Sequence, residues 1–180
     1  MLTSKRALLM LALVVGVTGC GNKDGSEGQS GQEKAGAGES LKLIDFVTTQ
    51  DGSALKIDAK LFNTPAAKEF GASGKNPYIG DEKAIAKGKK LFQLYSCTQC
   101  HGGDAQGQTG PSLHGPGFKY AKDATNKGMF ETIWHGTNGG MGAKGKGLMD
   151  PTDPNNGLTV DEALRVIAWI RTHGSTTGNE

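Results

Sequence analysis

Apolar residues fall along this chain in distinct patterns, and each pattern predicts a different kind of segment. Ala7 to Val17 is an unbroken apolar run behind Lys5 and Arg6. At about a dozen residues it is too short to cross a bilayer as a mature helix. From Gly21 to about Ser40 there is no large apolar residue at all. Such a stretch cannot offset its ordering entropy by burial, so a flexible linker is expected. Next come short apolar groups, Leu41, Leu43, Ile44, Phe46 and Val47, then Leu55, Ile57, Leu61 and Phe62, parted by Asp51-Gly52. These predict extended segments or a loose hairpin, followed by a short helix around Pro65–Phe70. Helical spacing dominates the rest. Asp81 can cap a helix from Glu82 to about Tyr95, with Ile85, Gly88, Leu91, Phe92 and Tyr95 recurring at threes and fours. A second helix is expected over Gly128 to His135, with Phe130, Ile133 and Trp134 inward. The last begins at a capping box, Thr159 with Glu162 three residues on. It carries the stripe Val160, Ala163, Leu164, Ile167 and Ile170 and closes at Arg171 and Gly174. The fold class is mostly α, with the first and last helices crossing through Gly88, Phe92 and Trp169.

Between these helices lie Gly102–Lys127 and Gly136–Leu158, both rich in Gly, Pro and Asn. Loops this long inside a compact domain call for an explanation. Composition points the same way: 29 of 180 residues are Gly and aromatics make up only 6%. A protein built so is wrapped around something other than its own side chains.

Charge excludes one broad class. The chain has 20 Lys and Arg against 18 Asp and Glu, and Lys5 and Arg6 supply the excess of +2. The remainder sums to zero, unlike the concentrated basic excess of a nucleic-acid binder. The basic start, apolar run and following Val17-Thr18-Gly19-Cys20 read as an export signal ending in a sequence that resembles a bacterial lipobox. Residues 1–19 are then a lipoprotein-type signal peptide, and Cys20 is the site of lipidation. The alternative is an ordinary signal peptide with Cys20 beside its cut. Only Cys97 and Cys100 remain, so there is no disulfide framework to staple an exported fold.

Those two cysteines stand in Cys97-Thr98-Gln99-Cys100-His101. Cysteines at this spacing can add to the two vinyl groups of a haem, with the adjacent histidine under the iron. Half of a zinc site is a rival, but zinc needs four N or S ligands and no second Cys pair exists. A dithiol redox motif normally opens a helix after a strand. Covalent haem attachment at Cys97 and Cys100, with His101 as axial ligand, is therefore preferred. Met129, Met141, Met149, His114, His135 and His173 are the candidates for the sixth ligand. Met129 falls on the second helix and suits the core; His173 ends the last helix and suits the surface. Met149 sits in a polar loop beside Asp150-Pro151, and His135 at a helix end where the dipole suits a partly charged imidazole. Met141, in Asn138-Gly139-Gly140-Met141-Gly142, is favoured, because glycines let backbone approach a haem face closely. His/Met ligation raises the reduction potential and suits electron transfer.

With Gly110-Pro111-Ser112-Leu113, the Met141 glycine loop and a terminal helix ending Ala168-Trp169-Ile170-Arg171, the chain resembles class I cytochrome c. Lys68-Glu69-Phe70, Gly74-Lys75-Asn76-Pro77-Tyr78-Ile79-Gly80 and Lys127-Gly128-Met129-Phe130-Glu131-Thr132-Ile133 narrow the resemblance to cytochromes cL. Those are the electron acceptors of pyrroloquinoline-quinone (PQQ) methanol dehydrogenases. The resemblance runs from about Leu41 to Gly174. It implies one haem c on Cys97 and Cys100, His101 and Met141 as axial ligands, Pro111 orienting His101 through its carbonyl, and Leu113 and Trp134 in the haem pocket. Gly140 and Ala143 stand where the family commonly has Met and Pro, and Lys144–Gly157 is longer than the family's loop.

The expected organisation is signal peptide 1–19, linker 20–40, an N-terminal extension 41–75 packing on a cytochrome c domain 76–174, and a tail 175–180. The expected function is a periplasm-facing, lipid-anchored carrier of single electrons, not an enzyme. Its donor would be a PQQ-dependent methanol or alcohol dehydrogenase, and its acceptor a downstream cytochrome or oxidase. The alternatives are a peroxidase-like enzyme with a labile sixth site, or a haem-based sensor lipoprotein. Lys83, Lys87, Lys89, Lys119, Lys122 and Lys144 could steer a partner, though solvated lysines need no such role. Asp150, Asp153, Asn155 and Asn156 could offer calcium oxygen ligands, but beside Pro and Gly they are ordinary turn residues, and the turn reading is preferred.

Overall fold

The computed structural model describes residues 41–174. The expected signal, linker, Cys20 and tail lie outside the described residues. Helices supply the regular structure: α1 Pro65–Ser73, α2 Glu82–Leu94, a single turn α3 Thr98–His101, α4 Asn126–His135 and α5 Val160–Arg171. Each longer helix starts at a side-chain cap. Thr64 accepts from Ala67 N, Asp81 from Ala84 N, Thr125 from Gly128 N and Thr159 from Glu162 N, so donors that have no partner inside the helix are satisfied. In α5 the Glu162 carboxylate also reaches back to the Thr159 N–H, completing the box. The cap at Thr125 starts α4 two residues before the expected Gly128. The residue three on from Thr125 is Gly128 rather than an acid, so no reciprocal box marks it in the sequence.

α2 and α5 cross where Gly88 leaves room. A Cβ there would collide with the Arg165 carbonyl oxygen. One turn on, Phe92 meets Trp169 with ring centroids 4.6 Å apart. α4 and α1 pack against α5 as well, so the apolar stripe of α5 is the centre of the core: Val160, Ala163, Leu164, Val166 and Ile167 are almost wholly buried.

The segment before α1 joins this same core. Val47 and Ala54 form an antiparallel bridge, with Thr48 N bonded to Ser53 O and Leu55 N to Phe46 O, each at 2.8 Å. Asp51 closes the turn by accepting from Thr48 Oγ1 at 2.6 Å. This hairpin seats Phe46 among Phe62, Phe70 and Phe130, at centroid distances of 6.0, 5.8 and 5.5 Å. Ring pairs at such distances add about 0.5–1.5 kcal/mol each beyond their buried area.

The long loop before α5 has a closed neck. Gly145 pairs with Leu158 in a parallel bridge, Lys146 N donating to Leu158 O at 2.8 Å and Leu158 N to Lys144 O at 2.7 Å. Inside it Asp150 accepts from Thr152 N and Oγ1, and Asp153 from Asn155 N. These carboxylates serve turns. No group of three or more His, Cys, Asp or Glu suited to a metal occurs among the described residues, and no described helix is long and apolar enough to cross a membrane.

Candidate functional site

Two residues beyond helix α2, Ser96 takes left-handed backbone at φ 58°, which turns the chain into the Cys97–His101 segment. Cys97 is half-buried, Cys100 exposed and His101 buried. Burial pushes the Cys97 thiol above its ordinary value. His101 Nδ1 lies 2.8 Å from the Pro111 carbonyl oxygen. A carbonyl can only accept, so Nδ1 is the donor, and in the neutral ring the free lone pair is on Nε2. Backbone bonds from Gly110 N to Cys100 O and from Gly107 N to His101 O, both 2.8 Å, hold that loop against the segment.

Beside these residues is a slot with two chambers, of about 200 and 40 Å³. His101, Leu113, Asp123, Thr132 and Met141 line both chambers; Cys100 reaches the larger and Cys97 the smaller. Met141 is half-buried. Its carbonyl accepts from Thr137 N at 2.8 Å, and further on Lys144 N and Gly145 N donate to Ile133 O and Trp134 O of α4, each at 3.0 Å.

The remaining candidates separate clearly. Met129, 3% exposed, belongs to the core and touches only the smaller chamber. Met149 sits in the necked loop and lines neither chamber. His114 is bonded through Nε2 to Asp104 O at 2.7 Å and stacks on His173 at 5.0 Å. His173 is half-buried between His114 and the edge of Trp169 rather than on the open surface expected of it. His135 is half-buried and also away from the slot.

Pro111 and Leu113 lie on the wall of the slot, but Trp134, expected beside them, does not. Trp134 is 2% exposed, stacks on Phe130 at 5.1 Å, and receives the backbone of Gly145 on its ring. A Cβ at Gly145 would run into that ring. Its place is the post on which the end of the Met141 loop rests. Two polar wall residues carry no signal in the sequence. Thr132 Oγ1 donates to Asp123 Oδ1 at 2.6 Å, both buried. Burial pushes the Asp123 carboxyl up to about 6, while Arg171 Nη2 donates to its main-chain carbonyl at 2.8 Å. Lys122-Asp123 reads locally as a solvated turn; only the long-range packing of α4 and α5 puts the acid inside.

The donor set is therefore a pair of thiols at the slot's edge, an imidazole nitrogen, and a thioether sulfur. A mostly apolar slot with these donors fits a flat iron macrocycle and not a compact zinc site, which takes four close N or S ligands.

Comparison with known proteins agrees. Residues 85–174 match the cytochrome c family. The chain belongs to that family. Cytochrome c-L of Methylorubrum extorquens is 41% identical over 131 residues, covering 71% of this chain and 61% of that protein. A cbb3-type cytochrome c oxidase subunit CcoP of Rubrivivax gelatinosus is 30% identical over 122 residues, covering 67% and 39%. The chain thus spans less than two thirds of either relative. Two crystal structures are similar. Cytochrome cL of Methylophaga aminisulfidivorans has a TM-score of 0.59 and 33% identity, covering 72% of this chain and 80% of its own. Cytochrome cL of Hyphomicrobium denitrificans has a TM-score of 0.61 and 36% identity, covering 72% and 73%. The fold is that of class I cytochrome c, and the cofactor of this family is covalently bound haem c, of which a chain with one CxxCH carries one.

Proposed function

We propose that this chain is a mono-haem carrier of single electrons, with Cys97 and Cys100 as the thioether pair and His101 and Met141 as the two axial ligands. One observation carries the reading: His101 and Met141 line both chambers of one slot whose edge holds the two thiols. Bound haem would supply reversible one-electron chemistry. The chain does the rest. The Pro111 carbonyl fixes the tautomer of His101 and makes its free nitrogen a better donor. The Met141 sulfur, a softer and weaker donor than a second imidazole, favours a higher potential. Leu113, Phe118 and Ile133 give the slot apolar walls.

Similarity to cytochromes cL supports a PQQ-dependent methanol or alcohol dehydrogenase as electron donor, with a downstream cytochrome or oxidase as acceptor. The sequence ahead of the described residues supports export to the periplasm and a lipid anchor at Cys20. Two measurements test this reading. Oxidised protein should show a sulfur-to-iron charge-transfer band that Met141→Ala abolishes. A high-spin ferric spectrum in the unaltered protein would instead favour the peroxidase-like alternative. Mixed with methanol dehydrogenase and methanol, the protein should be reduced within the mixing experiment; no reduction would remove that donor while leaving the cytochrome.

A further inference from the structure

The hairpin at residues 46–55 lies outside the stretch that matches the family, which begins at residue 85, yet its bonds lead toward the slot. Val47 is held at both its main-chain groups. Its N–H donates to Glu131 Oε1 at 2.8 Å and its carbonyl accepts from Lys122 Nζ at 3.3 Å. Glu131 is 1% exposed and pairs with Lys122 and Lys127, each at 2.6 Å, so the anchor is a buried acid with its charge met on both oxygens. From this anchor the turn extends along α4. Thr49 Oγ1 lies 2.8 Å from Thr132 Oγ1. Thr132 gives its own proton to Asp123, so Thr49 is the donor in that pair. The Gln50 carbonyl then accepts from Asn138 Nδ2 at 3.2 Å. Thr132 is a wall of the slot, and Asn138 stands three residues before Met141, with only Gly139 and Gly140 between them.

A run of glycines has little conformational preference of its own. Within it, Asn138 is the side chain that ties the approach to Met141 to another segment. We infer that the hairpin positions the Met141 loop, and that Thr49 and Asn138 are the residues through which it does so. This rests on Met141 as axial ligand. The hairpin does not touch the sulfur. It lowers the population of loop conformations in which the sulfur is withdrawn, and that population governs how readily an outside ligand takes the sixth position.

The probe is therefore exogenous imidazole, titrated into the oxidised holoprotein and followed by loss of the sulfur-to-iron band. Thr49→Val and Asn138→Ala should each bind imidazole about threefold tighter than the unaltered protein, and the pair together about tenfold. Thr159→Ala serves as the comparison, because it weakens α5 and removes no bond between the hairpin and the loop; its imidazole affinity should stay within about twofold. Equal affinities in all the proteins, or an equal rise in Thr159→Ala, would overturn the inference, since a merely stabilising role moves unfolding and not ligand exchange. Asn138 is exposed, so Asn138→Ala gives a folded protein to titrate even where Thr49→Val does not. Absence of the band from the unaltered protein would remove Met141 as ligand, a different failure from a band that is present and indifferent to both substitutions.

Discussion

Asp123 shows how much a single buried group can contribute to the behaviour of the site. Its carboxyl moves from 3.8 to about 6 on folding, chiefly through burial. The folded state therefore holds its proton more tightly than the unfolded state. The stability this provides is present below about pH 4 and is lost as pH rises through about 6. A displacement of that size corresponds to at most about 3 kcal/mol. Asp123→Asn should thus gain on the unaltered protein as pH rises from about 4 to about 7, with no further gain above. Chemical denaturation of both proteins across that range checks it, and a constant difference would show that burial does not govern this acid. At the residue scale the sequence speaks unevenly. Cys97, Cys100 and His101 are singled out by the spacing that thioether attachment needs. Met141 is singled out by the glycines around it, and the structure places it on the wall of the slot. Asp123, Thr132 and the burial of Glu131 are not, because each depends on residues far away in the chain.

Among elements, the crossing of α2 and α5 is the tightest joint. Gly88→Ala puts a methyl carbon on the Arg165 carbonyl, backbone that cannot rotate away, so the helices must part. A loss of about 3 kcal/mol or more is expected, at or above the usual range for overpacking. Thr159→Ala removes the α5 cap and should cost about 1 kcal/mol. Urea denaturation of the two variants should rank them in that order. Both features are visible beforehand, Gly88 as a small residue within an apolar stripe and Thr159 through its capping box. The start of α4 is not, since Thr125 caps without a reciprocal acid. The packing of Trp134 is hidden for a related reason: its ring is covered by Gly145, a contact that no local pattern marks.

For the molecule as a whole, the cofactor is part of the structure as well as its purpose. No disulfide is available among Cys97 and Cys100, and without the cofactor the apolar walls of the slot would face water. A small domain has little stability to spare for such exposure. The double substitution Cys97→Ala with Cys100→Ala, expressed without haem, should lose its cooperative thermal transition by circular dichroism; a sharp transition would mean that the chain folds unaided. This dependence accounts for the two long, glycine-rich loops, which no apolar periodicity explains. Much of the protein's interior is supplied by something no residue code describes.

The tie between Gly145 and Leu158 has a consequence for how this scaffold can change. Because the strap is knotted at its base, whatever hangs beyond it is mechanically insulated from the methionine upstream. Lengthening a flexible span costs only about 0.6 kcal/mol per doubling. Residues 147–156 are therefore a place where new sequence can be hung, a binding tag or a different docking tip, while the redox centre beneath keeps its shape.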